Sequence, residues 1–152
     1  MKNRIEIIAF LLSLTGVFML PSAAQASFTS NLTVEVNGLR NRNGQVCLSL
    51  FANSQGFPDR SERAVKSQCV RITEDPLQVT FENLPSGSYA IAAFHDSNSS
   101  GQLQRNFLGI PTEEFGFSGN PVIRTGPPEF NEAAVLVVGA TTRVQIQLRS
   151  LL

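Results

Sequence analysis

The chain has no tryptophan, one tyrosine, one histidine, two cysteines and no excess of either charge. A single histidine does not form the multi-histidine sets that commonly hold zinc or copper. With 12 basic and 12 acidic side chains, the chain as a whole lacks the electrostatic footprint expected for nucleic acid or anionic lipid. It also contains neither G-x-S-x-G nor S-x-x-K, two signatures of a nucleophilic serine.

Long apolar runs are confined to the start of the chain. Lys2 and Arg4 precede an apolar run from Ile7 to Leu20, and Ala24-Gln25-Ala26 follows as a small-x-small sequence. This order is typical of a secretory signal peptide at residues 1–26 and predicts cleavage after Ala26. An uncleaved anchor is less favoured, because the run is shorter than the roughly 20 apolar residues of a spanning helix.

Export predicts a secreted or periplasmic protein with no membrane span after cleavage, and it bears on the two cysteines. Cys47 in "GQVCLSLF" and Cys69 in "SQCVRI" each alternate with apolar neighbours, as in half-buried strands. If these strands are neighbours, the thiols lie on corresponding faces, and an oxidising compartment favours a disulfide. Two buried free thiols are the alternative.

An apolar period of two recurs through residues 27–152. It is present in "LTVEVNGL", "GQVCLSLF", "LQVTFENL" and "RVQIQL", whereas "SYAIAAFHD" and "AAVLVV" are apolar on both faces. Turn sequences at Asn43-Gly44, Pro85-Ser86-Gly87 and Gly139-Ala140 separate these segments. We therefore predict an all-β fold, a single antiparallel β-sandwich domain of about seven strands.

The segment from Asp96 to Asn131 interrupts this pattern because it contains no convincing strand. Its aromatic and aliphatic residues are not typical of a disordered segment. We expect a long ordered loop folded over one end or face of the sandwich. Within it, Phe107, Phe115 and Phe117 either pack against the sandwich or line an apolar binding site, together with His95 at the preceding strand end.

Several motifs resemble a known family. "FENLPSGSYAIAAFHDSNSSGQL", "NFLGIPTEEFGFSGNP" and "GPPEFNEAAVLVVGATTRVQIQL" are similar in order and spacing to the family called domain of unknown function 2141. The resemblance extends over essentially all of residues 27–152 and implies an exported protein with one compact β domain, without agreed catalytic residues. More loosely, "LPSGSY" resembles the turn and strand of transthyretin-like and carboxypeptidase-regulatory-like sandwiches, so the expected sandwich type is transthyretin-like or immunoglobulin-like.

The polar turn after "FHD" resembles part of an EF-hand-type calcium loop. Four residues match its first ligand positions: Asp96, Asn98, Ser100 and Gln102. Phe107 occupies the last position, where a bidentate acid is required, so Glu113 or Glu114 completes a site only by folding back. The favoured interpretation is an Asx-turn, in which Asp96 and Asn98 bond backbone amides, and calcium is the one cofactor suggested.

Three function classes remain open. The one we favour is a non-enzymatic exported module that binds an unidentified ligand or partner in the cell envelope or extracellular space. A small exported hydrolase or metal-dependent enzyme using His95, Asp96 and Glu113 is an alternative, which a deep polar cleft joining these side chains would support. The third class is a calcium-stabilised structural module.

Overall fold

The computed structural model describes residues 29–151, so the predicted signal peptide lies outside the described residues. The elements in chain order are β1 (Thr29–Asn37), β2 (Gln45–Phe51), a 3-10 helix (Ser61–Arg63), β3 (Lys66–Arg71), β4 (Leu77–Pro85), β5 (Gly87–Asp96), β6 (Phe115–Phe117), α1 (Phe130–Ala133), β7 (Val135–Val137) and β8 (Thr141–Gln147). The predicted all-β class is confirmed. No helix among residues 29–151 is long and apolar enough to cross a bilayer.

The strands form two sheets that share one core. The three-stranded sheet has the order β4-β1-β8, and the five-stranded sheet has the order β3-β2-β5-β6, with β7 also paired to β5. Side chains along β1 alternate between buried and more exposed positions, as the apolar period of two predicts. The main core takes large buried side chains from both sheets, among them Leu32, Leu48, Leu50, Leu77, Phe81, Ile91 and Ile146.

The prediction of a purely antiparallel sandwich is wrong. β1 runs parallel to β8, from Asn31 opposite Thr141 to Asn37 opposite Gln147. The other strand pairs are antiparallel. The alternation of apolar residues indicates which face of the sheet a side chain lies on. The same alternation is present in parallel and antiparallel strands, so it could not predict that β1 and β8 are parallel.

Strand β5 is apolar on both faces because it lies between two clusters. Tyr89, Ile91 and Ala93 contact the main core. The alternate residues Ala90, Ala92 and Phe94 belong to a second cluster on the outer face of the five-stranded sheet. Its other members come from β6 and from the segments that cover this face: Phe57, Leu103, Phe115, Phe117, Ile123, Phe130 and Ala133.

The prediction that residues 96–131 contain no strand is also wrong. Phe115 pairs with Phe94 and Phe117 with Ala92, so β6 extends the five-stranded sheet. Three residues are too few to display an alternating pattern. The glycine between them permits close packing, because a Cβ at Gly116 would lie 2.7 Å from the carbonyl oxygen of Gln147 on β8.

The two cysteines lie opposite each other on β2 and β3, as the strand patterns predict. Cys47 is the register partner of Cys69. Their sulfur atoms are bonded, and their Cα atoms are 3.9 Å apart. The disulfide therefore ties β3, which lies at the edge of its sheet, to the buried strand β2.

Candidate functional site

The carboxylate of Asp96 is buried at the end of β5 and accepts four hydrogen bonds. Oδ1 accepts from the backbone N–H of Ser100 at 2.8 Å and from its hydroxyl at 3.3 Å. Oδ2 accepts from the backbone N–H of Gly101 at 2.7 Å and from the side-chain amide of Gln45 at 2.8 Å. The side chain therefore holds the turn after β5 in place, as the Asx-turn interpretation predicts.

These contacts determine the ionisation of Asp96. Burial raises the pKa of the carboxyl group, but the hydrogen bonds from Gln45, Gly101 and Ser100 outweigh burial. The pKa of Asp96 therefore lies below its ordinary value. The residue is an anion at neutral pH although it is buried.

The carboxylate of Glu113 also binds the turn after β5. Oε1 accepts from the backbone N–H of Ser97 at 3.2 Å, and Oε2 accepts from the backbone N–H of Gln104 at 3.1 Å. Because one oxygen binds near the start of the turn and the other near its end, Glu113 fixes both. It folds back as the calcium interpretation requires, but its oxygens meet N–H donors.

Glu114 joins the only histidine to an arginine. Its Oε1 lies 2.7 Å from Nε of Arg40, and its Oε2 lies 3.2 Å from Nδ1 of His95. The other ring nitrogen of His95 lies 2.8 Å from the carbonyl oxygen of Asn43. The histidine is buried and hydrogen-bonded at both nitrogens, so neither nitrogen faces a substrate cleft.

The remaining residues of the predicted calcium loop also bond within the turn. Oδ1 of Asn98 accepts from the N–H of Ser100 at 3.1 Å, and the carbonyl oxygen of Gln102 accepts from the hydroxyl of Ser100 at 3.0 Å. Within residues 29–151, no group of three or more His, Cys, Asp or Glu side chains is placed to hold a metal ion. These side chains therefore form hydrogen bonds that join the turn after β5 to the sheet, and we call these hydrogen bonds the ties at the end of β5.

A cavity lies beside these ties, between residues 96–131 and the outer face of the five-stranded sheet. Its volume is about 840 Å³. The apolar part of its wall comes from β5, β6 and the covering segments: Ala92, Phe94, Leu103, Ile110, Phe115, Phe117 and Ile123. Three charged side chains also line it: Asp59, Arg105 and Arg124. The disulfide-bearing face of the sheet is thus covered incompletely, and a pocket remains.

The predicted site residues divide between these two features. Phe115, Phe117 and Gln102 line the cavity, whereas His95, Asp96 and Glu113 are not among its lining residues. A second groove of about 750 Å³ lies over the three-stranded sheet, and polar side chains such as Gln78 and Gln145 dominate its lining. Neither space is a polar cleft that joins the three residues of the predicted enzyme.

Phe107 neither packs against the sandwich nor lines the cavity, the two alternatives expected for it. Its side chain is 94% exposed, and that of Leu108 is 67% exposed. Both lie at the tip of a tight turn whose two ends, Arg105 and Pro111, form an isolated antiparallel β-bridge. The sequence pattern suggested burial because phenylalanines are usually buried, but this turn projects away from the sheet.

Several partners in the site could not be inferred from the sequence. Arg40 and Asn43 reach Glu114 and His95 from the turn between β1 and β2, far away along the chain. Ser118 links β5 to α1. Its hydroxyl accepts a hydrogen bond from the N–H of Ile91 and donates one to the carbonyl oxygen of Ala133. The contact of Gln45 with Asp96 follows from strand register, because the two residues lie opposite each other where β2 pairs with β5.

Comparison with known proteins identifies a family and no closer relative. A search of curated proteins found no match, and a search of solved structures found none either. A family model described as "Uncharacterized protein conserved in bacteria (DUF2141)" matches residues 34–145, which extend from β1 into β8. The chain therefore belongs to the bacterial family DUF2141.

Proposed function

We propose that this protein is a non-enzymatic binding module that holds a small apolar ligand in the cavity beneath residues 96–131. The cavity of about 840 Å³, with its aromatic and aliphatic walls, carries the proposal. Pockets for small molecules are commonly of this size and are lined mainly by apolar side chains with a few polar groups. Here the charged groups are the Asp59, Arg105 and Arg124 side chains, and uncharged polar groups such as Ser49 and Gln102 line the cavity as well.

The ties at the end of β5 support a cavity that exists before the ligand arrives. Asp96 and Glu113 fix the turn that follows β5, and the disulfide fixes β3 on the same face. A cavity of this kind costs little to order on binding, because its walls are already in position. The same contacts weaken the case for catalysis, since they occupy the carboxylates and the histidine that an enzyme would use.

The place of action in this proposal is the bacterial envelope or the extracellular space. It rests on Lys2, Arg4, the apolar run from Ile7 to Leu20 and the sequence Ala24-Gln25-Ala26. Sequencing the N-terminus of protein purified from its source should find Ser27 first. Mature protein that retains Met1 would contradict export through a cleaved signal peptide.

Binding can be tested with a neutral apolar dye, N-phenyl-1-naphthylamine, whose fluorescence rises in apolar surroundings. Saturable binding of one dye per chain is expected. Ala92→Leu should weaken it about tenfold, because Ala92 lines the cavity and a larger side chain would occupy its volume. Ala140→Leu, at an exposed turn position, is the matched control and should bind as the wild type does.

Two results would contradict the proposal. One is the absence of saturable dye binding by the folded protein. The other is equal binding by wild type and Ala92→Leu, when both unfold cooperatively at similar temperatures. Dye binding that appears only as the protein unfolds would report exposed core rather than the cavity.

A further inference from the structure

The turn that carries Phe107 and Leu108 is an exposed apolar tip on a rigid base. Oδ1 of Asn106 accepts from the backbone N–H groups of Leu108 and Ile110, both at 3.0 Å. The N–H of Asn106 donates to the carbonyl of Ile110 at 2.9 Å, and that of Gly109 donates to the carbonyl of Asn106 at 2.9 Å. Because the backbone is held in this way, the two side chains are presented to solvent in a defined position.

Further exposed apolar and basic side chains lie on the same face. Leu108 lines the mouth of the cavity together with Leu151, which is 50% exposed. Arg105 and Arg124 line it as well. Arg105 is paired with Asp59 at 2.9 Å, whereas Arg124 has no ion-pair partner among residues 29–151. Among the charged side chains that line the cavity beside Leu108, Arg124 is therefore the one that carries an unpaired positive charge.

We propose that this tip, formed by Phe107 and Leu108, docks the protein onto the surface of a lipid bilayer that contains anionic phospholipids. An aromatic ring and a leucine can enter the headgroup region, while the neighbouring Arg124 binds a lipid phosphate. Leu108 and Arg124 also line the cavity, whereas Phe107 does not. Docking of the tip onto lipid requires no ligand inside the cavity, so the proposal does not depend on the proposed ligand.

A lipid surface fits the tip better than a protein partner does. Stable protein interfaces bury about 1,200 Å² or more in total, and two side chains on a narrow turn supply only a small part of that area. A bilayer requires no complementary shape, because its headgroups rearrange around an inserted side chain. Anionic headgroups also match the sign of the charge on Arg124.

The absence of tryptophan makes a local test available. Phe107→Trp places the only indole of the chain at the tip, and Leu136→Trp places one at a control position that is 61% exposed and does not line the cavity. Vesicles of phosphatidylcholine with phosphatidylglycerol should shift the emission of the Phe107→Trp protein to shorter wavelength. The emission of the Leu136→Trp protein should not change. A readout at the turn is needed because an uncleaved apolar run at Ile7–Leu20 could itself bind lipid.

Titration with vesicles then separates the two contributions. On mixed vesicles, Phe107→Ala should weaken binding about tenfold, because it removes the inserted ring. Arg124→Gln should weaken it about fivefold on mixed vesicles and have no effect on pure phosphatidylcholine. Leu136→Ala and Arg143→Gln are the matched controls and should bind as the wild type does.

Three outcomes would overturn the proposal. The first is an emission spectrum of the Phe107→Trp protein that no vesicle changes. The second is equal binding by wild type and Phe107→Ala, which would assign any lipid affinity to another part of the chain. The third is a blue shift that appears without lipid as the protein concentration rises, which would make the tip a contact between copies of this chain.

Discussion

Oε2 of Glu114 lies 3.2 Å from Nδ1 of His95, and both side chains are buried. The carbonyl oxygen of Asn43, at the other ring nitrogen, can only accept, so Nε2 of His95 carries a hydrogen. This pair connects the turn before β2 to the strand end of β5 and to the residues preceding β6.

Removing Glu114 should therefore destabilise the domain more than removing its exposed partner. Glu114→Ala leaves a buried ring nitrogen of His95 without its hydrogen-bond partner, which should lower the free energy of unfolding by about 1–3 kcal/mol. Arg40→Ala should cost less than about 1 kcal/mol, because the Arg40 side chain is 62% exposed. Urea unfolding measures both, with Glu82→Ala at an exposed position as the control. Equal losses from Glu114→Ala and Arg40→Ala would show that the exposed ion pair matters as much as the buried contact.

The lowered pKa of Asp96 predicts a particular dependence of stability on pH. Because the folded pKa lies below the unfolded value of about 3.9, the contribution of Asp96 is fully present above that value. It is lost as pH falls through the folded pKa. Asp96→Asn should therefore be about 1–3 kcal/mol less stable than wild type at neutral pH, since an amide N–H₂ would replace one acceptor oxygen.

Urea unfolding of wild type and Asp96→Asn from neutral to acid pH tests this prediction. The difference between them should shrink as pH falls below about 3.9. The exposed Glu74→Gln serves as the control for a general loss of charge. Hydrogen exchange of residues 97–104 should be faster in Asp96→Asn, with or without calcium. Protection of the wild-type turn that appears only when calcium is added would favour the calcium-stabilised module instead.

The disulfide should contribute substantially to the stability of this small domain. Cys47 and Cys69 are 22 residues apart, and closing a loop of this length contributes about 3 kcal/mol in the chain-entropy model. The double variant Cys47→Ala/Cys69→Ala should lose about that much free energy of unfolding, and reduced wild type should lose a similar amount. Thiol titration of the unfolded, unreduced protein should find no free thiol. Two free thiols per chain would contradict the pairing.

The strands were predictable because burial on one face imposes a period of two that local sequence displays. The same alternation predicted the disulfide between Cys47 and Cys69, because it places both side chains on the same face once their strands are neighbours. It could not reveal the parallel pairing of β1 with β8, which depends on how the end of the chain returns to its start.

The polar contacts were less accessible to prediction. Asp96 bonds residues close to it in sequence, so an Asx-turn could be expected from the sequence alone. His95 and Glu114 instead find partners at Asn43 and Arg40, which local patterns cannot indicate because the contact exists only in the folded chain. The exposure of Phe107 was unpredictable for a related reason, because hydrophobicity alone does not indicate whether a turn faces the sheet or solvent.

Two phenylalanines of the same segment should differ sharply in their effect on stability. Phe117 is 6% exposed, and its ring centroid lies 5.9 Å from that of Phe57 and 5.8 Å from that of Phe115. Phe117→Ala removes these contacts and opens a void, so it should cost about 3–5 kcal/mol. Phe107→Ala removes the same group from a side chain that is 94% exposed, and it should change stability by less than about 0.5 kcal/mol.

Thermal and urea unfolding of the two variants, beside wild type, measure this difference, and the chemical change is identical in both. Hydrogen exchange adds position: Phe117→Ala should speed exchange at the N–H of Ser118, which donates to the carbonyl of Ile91 on β5. A loss of stability in Phe107→Ala as large as that in Phe117→Ala would mean that the ring of Phe107 is buried in solution. The 105–111 turn would then fold against the sheet, and its tip would not be free to meet a membrane.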